Sequence, residues 1–95
     1  MNNITRSLDE FCLVRFSRKT GKIDTTLEAT GSAMLQMWAL HNCTKTKDII
    51  IFHKGTGNCI MYVEGTGDFP KIFKEELGNI NSYCPGLLEA VNTPD

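Results

Sequence analysis

Two runs decide how this chain folds: Asp48-Ile49-Ile50-Ile51-Phe52-His53 and Cys59-Ile60-Met61-Tyr62-Val63-Glu64. β-Branched and aromatic side chains crowd both, a composition that suits an extended, pleated backbone. Lys54-Gly55-Thr56-Gly57-Asn58 lies between them and supplies glycines for the positive φ of a tight connection, so the pair reads as a β-hairpin. Side chains alternate across a strand. Ile49, Ile51, Cys59, Met61 and Val63 then fall on one face, and Ile50, Phe52, Ile60 and Tyr62 on the other. Both faces are apolar. Burying such a side chain is worth about 1.5–3 kcal/mol, so each face demands a cover. Helices packed on one side cover only one. The second face has to meet the N-terminal segment, residues 87–91, a partner chain or a ligand.

Working outward, residues 11–16 (FCLVRF) read as a strand, and Ser17-Arg18-Lys19-Thr20-Gly21 as a turn. In residues 22–29, Ile23, Thr25, Leu27 and Ala29 alternate with Asp24, Thr26 and Glu28, the period-2 pattern of a half-exposed strand. Thr30-Gly31-Ser32 opens a helix over residues 33–42, with Thr30 or Ser32 as its cap. That helix is apolar almost all round, which implies burial on more than one side. Downstream of the second hairpin, Gly65-Thr66-Gly67-Asp68 leads to Pro70, a residue tolerated in the first turn of a helix. Phe69, Ile72, Phe73 and Leu77 then form an apolar face, and Gly78 fits a left-handed C-terminal cap. Residues 80–86 read as loop and 87–91 as a short helical turn.

Sliding the chain by 36 residues aligns Phe16 with Phe52, Thr20-Gly21 with Thr56-Gly57, Glu28 with Glu64, and Thr30-Gly31 with Thr66-Gly67. The expected fold is therefore α+β: a two-layer ββα-ββα arrangement with a four-stranded, mainly antiparallel sheet and two helices on one face, consistent with an internal duplication. The whole of residues 1–95 forms one domain, with an N-terminal segment (1–10), a first ββα unit (11–43), a second (48–78) and a tail (79–95). Ninety-five residues leave no room for a second core.

Net charge is −1, which disfavours a globally basic nucleic-acid binder. No apolar run reaches the ~20 residues of a membrane span, and the first residues carry no apolar signal core, so a soluble cytoplasmic protein is expected. Cys12, Cys43, Cys59 and Cys84 show no C-x-x-C spacing and read as reduced thiols. His41, Cys43, His53 and Cys59 lack the ligand spacing of a zinc site, so neither metal nor cofactor is expected.

The charge is uneven. Residues 1–54 hold 8 Lys/Arg and 5 Asp/Glu, a balance of +3; residues 55–95 hold 2 and 6, a balance of −4. Arg15, Arg18, Lys19, Lys22 and Lys54 form a candidate phosphate-tracking patch, though without interleaved aromatics. Gly65, Thr66 and Gly67 form a candidate anion loop at a helix start, where Asp68 as a cap would fill the same place. No constellation points to a catalytic residue. The leading reading is a small non-enzymatic interaction module acting through homodimerisation or protein–protein binding. The surplus apolar surface of Ile49, Ile50, Ile51, Phe52, Ile60 and Met61, with Met34 and Trp38 on the helix, is the expected interface. A nucleic-acid-binding accessory protein comes second, and a small-ligand or anion binder third.

Overall fold

The structure, a computed structural model, describes residues 10–93. The N-terminal segment considered above as a cover for the sheet lies outside the described residues, apart from Glu10. The elements run β1 (Phe11–Ser17), β2 (Ile23–Ala29), α1 (Ala33–Asn42), β3 (Lys47–His53), β4 (Cys59–Glu64), β5 (Lys71–Phe73), a 3-10 turn (Ile80–Ser82) and α2 (Leu87–Asn92). The strands make one antiparallel sheet in the order β2-β1-β3-β4-β5. α1 crosses one face after β2 and returns the chain to the free side of β1, so Leu13 lies opposite Leu27 on one side and Ile51 on the other.

Each face of the sheet has its own core. Beneath α1, Leu35 and Ala39 meet Leu13, Ile49, Ile51, Met61 and Val63. On the opposite face Cys12, Val14, Ile50 and Phe52 are buried under Ile80, with Leu87, Leu88 and Val91 packed around them. The third layer that the β3–β4 hairpin demands is thus the chain's own C-terminal segment, including the 87–91 stretch. Backbone and side-chain hydrogen bonds tie it down: Ile80 N–H to the Gly57 carbonyl at 2.7 Å, Asn79 Nδ2 to that of Thr56 at 3.0 Å, and Asn92 Nδ2 to that of Lys54 at 2.8 Å.

Four expectations are corrected. The sheet has five strands, not four, because residues 71–73 form β5 rather than part of a second helix. Tyr62, Val63 and Glu64 pair with Phe73, Ile72 and Lys71, so β5 satisfies backbone groups of β4 that a helix would leave open. Pro70 precedes an edge strand, another place where its missing N–H costs nothing. The helical elements also do not share a face: α1 lies on one side of the sheet and the C-terminal segment on the other.

The ββα-ββα repeat is not found as such. The two hairpin turns do match. Gly21 N–H donates to Ser17 O and Gly57 N–H to His53 O, both at 2.7 Å, with φ of +77° and +82° at the glycines. Beyond the turns the units diverge, into α1 after β2 and β5 after β4. The facing of the hairpin is corrected too. The β3–β4 register shifts between Ile51 and Phe52, pairing Met61 and Cys59 with them in turn, so Ile60 is the extra residue of a bulge. Ile60 therefore packs with the α1-side cluster, and Cys59 with Phe52 on the other side.

Candidate functional site

The expected interface on the hairpin is taken up inside the chain. Ile49, Ile50, Ile51 and Phe52 have no exposed surface and Met61 almost none. What remains outside is grouped elsewhere. Seven large hydrophobics are exposed among the described residues: Met34, Met37 and Leu40 on α1; Phe69, Ile72 and Phe73 at β5; and Tyr83. α1 is apolar on both sides for this reason. Leu35 and Ala39 point at the sheet, while Met34, Met37 and Leu40 follow one another at three-residue intervals on the outside. Ile72 pairs with Val63, whose side chain lies under α1, so Ile72 is on the α1 side of the sheet. Lys74 Nζ reaches Gln36 Oε1 of α1 at 3.4 Å and joins the two elements. An open hollow of about 420 Å³, lined by Ile72, Phe73, Lys74 and Glu75, lies at the β5 end of this surface.

Trp38 is half-buried, with the Arg15 guanidinium 5.5 Å from its ring centroid. Arg15 also donates to Asp24 at 2.9 Å and to the Asn42 carbonyl at 3.0 Å, where it caps the C-terminus of α1. Asp24 accepts from Lys47 at 2.6 Å and from Thr25 as well, and these hydrogen bonds, Lys47 first, hold its carboxyl far below the ordinary range. Lys54 donates to Glu28 at 2.8 Å, which raises its own pKa. The basic patch foreseen around the first turn is thus largely committed to internal ion pairs. Among the described residues, three of its five members, Arg15, Arg18 and Lys54, are held in such pairs.

The glycine loop is also closed from within. Asp48 is 1% exposed. Its carboxylate accepts from Arg18 Nη2 at 2.7 Å, Tyr62 O–H at 2.5 Å and Gly65 N–H at 3.1 Å. Arg18 Nη2 also donates to the Gly65 carbonyl, so the pair grips that residue from both sides. Burial alone would raise the Asp48 carboxyl, and it is the largest single influence, but the hydrogen bonds from Arg18, Tyr62 and Gly65 together pull it below its usual value. Burial, aided by the bond to Asp48, pushes the Tyr62 phenol well above its ordinary range. Asp48 already occupies the anion position offered by the Gly65 amide. Thr66 Oγ1 donates to the Phe69 carbonyl, which makes 66–69 a loop rather than a helix start.

The four cysteines are free thiols. Burial pushes Cys12 up to about 12 and Cys59 to about 11, and raises Cys84. Such thiols are protonated at neutral pH and poor nucleophiles. Among the described residues no three His, Cys, Asp or Glu side chains are grouped to hold a metal ion, and no helix is long and apolar enough to cross a membrane. Comparison with protein-family models, with curated proteins and with solved structures finds no match.

Proposed function

We propose that this chain is a small non-enzymatic interaction module that self-associates through the side of the fold formed by α1 and β5. One observation carries the reading: six of the seven exposed large hydrophobics among the described residues lie on α1 or within residues 69–73, with Phe73 on the sheet face away from α1 beside Tyr62, while the centre of the sheet is covered on both faces. Scattered exposed apolar residues are ordinary on a monomer; their grouping on α1 and at one edge of the sheet is the mark of an interaction surface. The charged groups best placed for other chemistry support it indirectly, because Arg15 pairs with Asp24, Arg18 with Asp48 and Lys54 with Glu28. Light scattering between 1 μM and 1 mM tests the proposal. A mass rising above the 10.6 kDa of one chain at micromolar concentration is expected; a monomer at 1 mM overturns it.

A further inference from the structure

We infer that the partner at the β5 end is a second copy of this chain, paired edge to edge through β5 about a two-fold axis at Ile72. The inference rests on the reading just proposed and specifies its contact. Hydrogen-bonding direction alternates along an antiparallel strand. Lys54 N–H donates to Glu10 O, Arg18 N–H to Thr46 O and His53 N–H to Asn58 O. These bonds turn the even-numbered residues of β3 toward β1 and the odd-numbered ones toward β4. Followed through the β3–β4 and β4–β5 registers, Tyr62 and Glu64 bond to Phe73 and Lys71. The N–H and C=O of Ile72 therefore point to the open edge. A two-fold there lets the two Ile72 residues exchange both bonds. It sets Lys71 against Phe73 of the other copy, a cation over an aromatic ring, and brings no like charges face to face within Lys71–Phe73; further out Asp68 falls opposite Glu76.

The same axis brings Phe69 of one copy over Glu75 of the other, at the end of the 420 Å³ hollow. The hollow is open to solvent and mixed in its lining, Ile72 and Phe73 beside Lys74 and Glu75, and it is larger than a Phe ring. Phe69 is 83% exposed with nothing in its own chain to cover it, and the fit is reciprocal. The opposite edge is guarded. The β1–β2 register passes from Arg15↔Thr25 to Phe16↔Ile23, which leaves Asp24 as a bulge in β2. A two-fold through Thr26 would also oppose Asp24 with Glu28. Bulges and charged side chains on an edge strand are devices that block edge pairing, and β5 has no bulge.

Phe69 and Phe73 are 83% and 45% exposed. At about 200 Å² for a whole Phe they offer about 250 Å² per copy, roughly a third of the ~800 Å² of a standard interface. The contact is smaller than a standard interface, so the dimer is a weak one, with Phe69 as its anchor. The test is sedimentation equilibrium of the full chain and two variants. Phe69→Ala removes the anchor, and Ile72→Pro removes an N–H that faces away from β4. Each is expected to weaken the dimer at least tenfold, with the melting midpoint of Phe69→Ala unchanged. If a dimer forms but Phe69→Ala leaves it intact, edge pairing is overturned while self-association stands; loss on Met37→Glu instead would assign the contact to α1. A monomer at 1 mM overturns both.

Discussion

Gly65→Ala is expected to be the most damaging single-methyl change in the chain. A Cβ built on Gly65 lies 1.7 Å from the Thr44 carbonyl oxygen and 2.6 Å from that of Lys47. Both obstacles are backbone, so no side chain can swing aside. The strand end has to move by about 1.5 Å to restore contact distance, and overpacking of this kind costs about 1–3 kcal/mol. The movement also opens the Asp48–Gly65 N–H bond of 3.1 Å and the Arg18 bond to the Gly65 carbonyl. A hydrogen bond to a charged group is worth about 1.5–3 kcal/mol, discounted on the Arg18 side because that side chain is 41% exposed. The total is about 3–5 kcal/mol, a large part of a stability of ~5–15 kcal/mol. For a domain of this size it lowers Tm by about 15–30 °C. Two neighbours serve as controls. The Cβ of Gly67→Ala meets only the flexible Lys45 Cε at 3.3 Å, and that of Gly31→Ala meets nothing within 4 Å. Urea unfolding followed by circular dichroism measures all three. If Gly65→Ala stays within 1 kcal/mol of the parent, β4 does not close against residues 44–47 in this way.

Two further outcomes follow from the cores. The folded-state pKa of Asp48 is depressed, so its contribution is complete above the unfolded value of about 3.9 and is lost as pH falls through the folded value. Thermal melts should thus lose midpoint below about pH 4, and Asp48→Asn should cost about 2 kcal/mol at pH 7 and flatten that acid slope; an unchanged slope would show that the acid loss lies elsewhere, as in Asp24. Ile80→Ala, at a fully buried site over the second sheet face, should cost about 2–5 kcal/mol in urea titrations. A loss under 1 kcal/mol would mean that the C-terminal segment does not pack on Ile50 and Phe52.

The β3–β4 hairpin was legible because its signals are local and agree. β-Branched runs and a glycine-bearing turn both say strand-turn-strand, and the double apolar face forces three layers. The same held for β1, β2 and α1. What covered the second face was not legible from periodicity alone. Ile80, Cys84, Leu87, Leu88 and Val91 are spread through a loop and a six-residue helix. Their spacing has no single period, and it is the Asn79 and Gly57 contacts that seat them. Gly57 shows how tight the seat is: a Cβ there would meet Leu88 Cδ2 at 2.7 Å. The buried ion pair was hidden for a similar reason. Arg18 and Asp48 are 30 residues apart, and read singly they are a turn cation and a strand-end acid.

Residues 69–77 carry the lesson for the site. Phe69, Ile72, Phe73 and Leu77 have helical spacing, so they read as a buried face. A helix of eight residues is marginal on its own, since nucleation must be repaid by packing. The segment is also broken by Glu76 at φ +56° and Gly78 at +79°. Against this weak local preference stands the demand of β4, whose Tyr62 and Glu64 need backbone partners on their outer side. Three residues suffice to meet it, and the choice of strand over helix turns the same apolar residues from core into surface. Phe69 is left 83% exposed, and Ile72 and Phe73 nearly half. The long edge strand β2 carries a bulge and acids within it, whereas the short edge β5 is unbulged and carries Ile72 and Phe73, its acids Asp68, Glu75 and Glu76 lying outside the strand. That asymmetry makes β5 the open end of the sheet, and it exists only because β4 outbid a helix for residues 71–73.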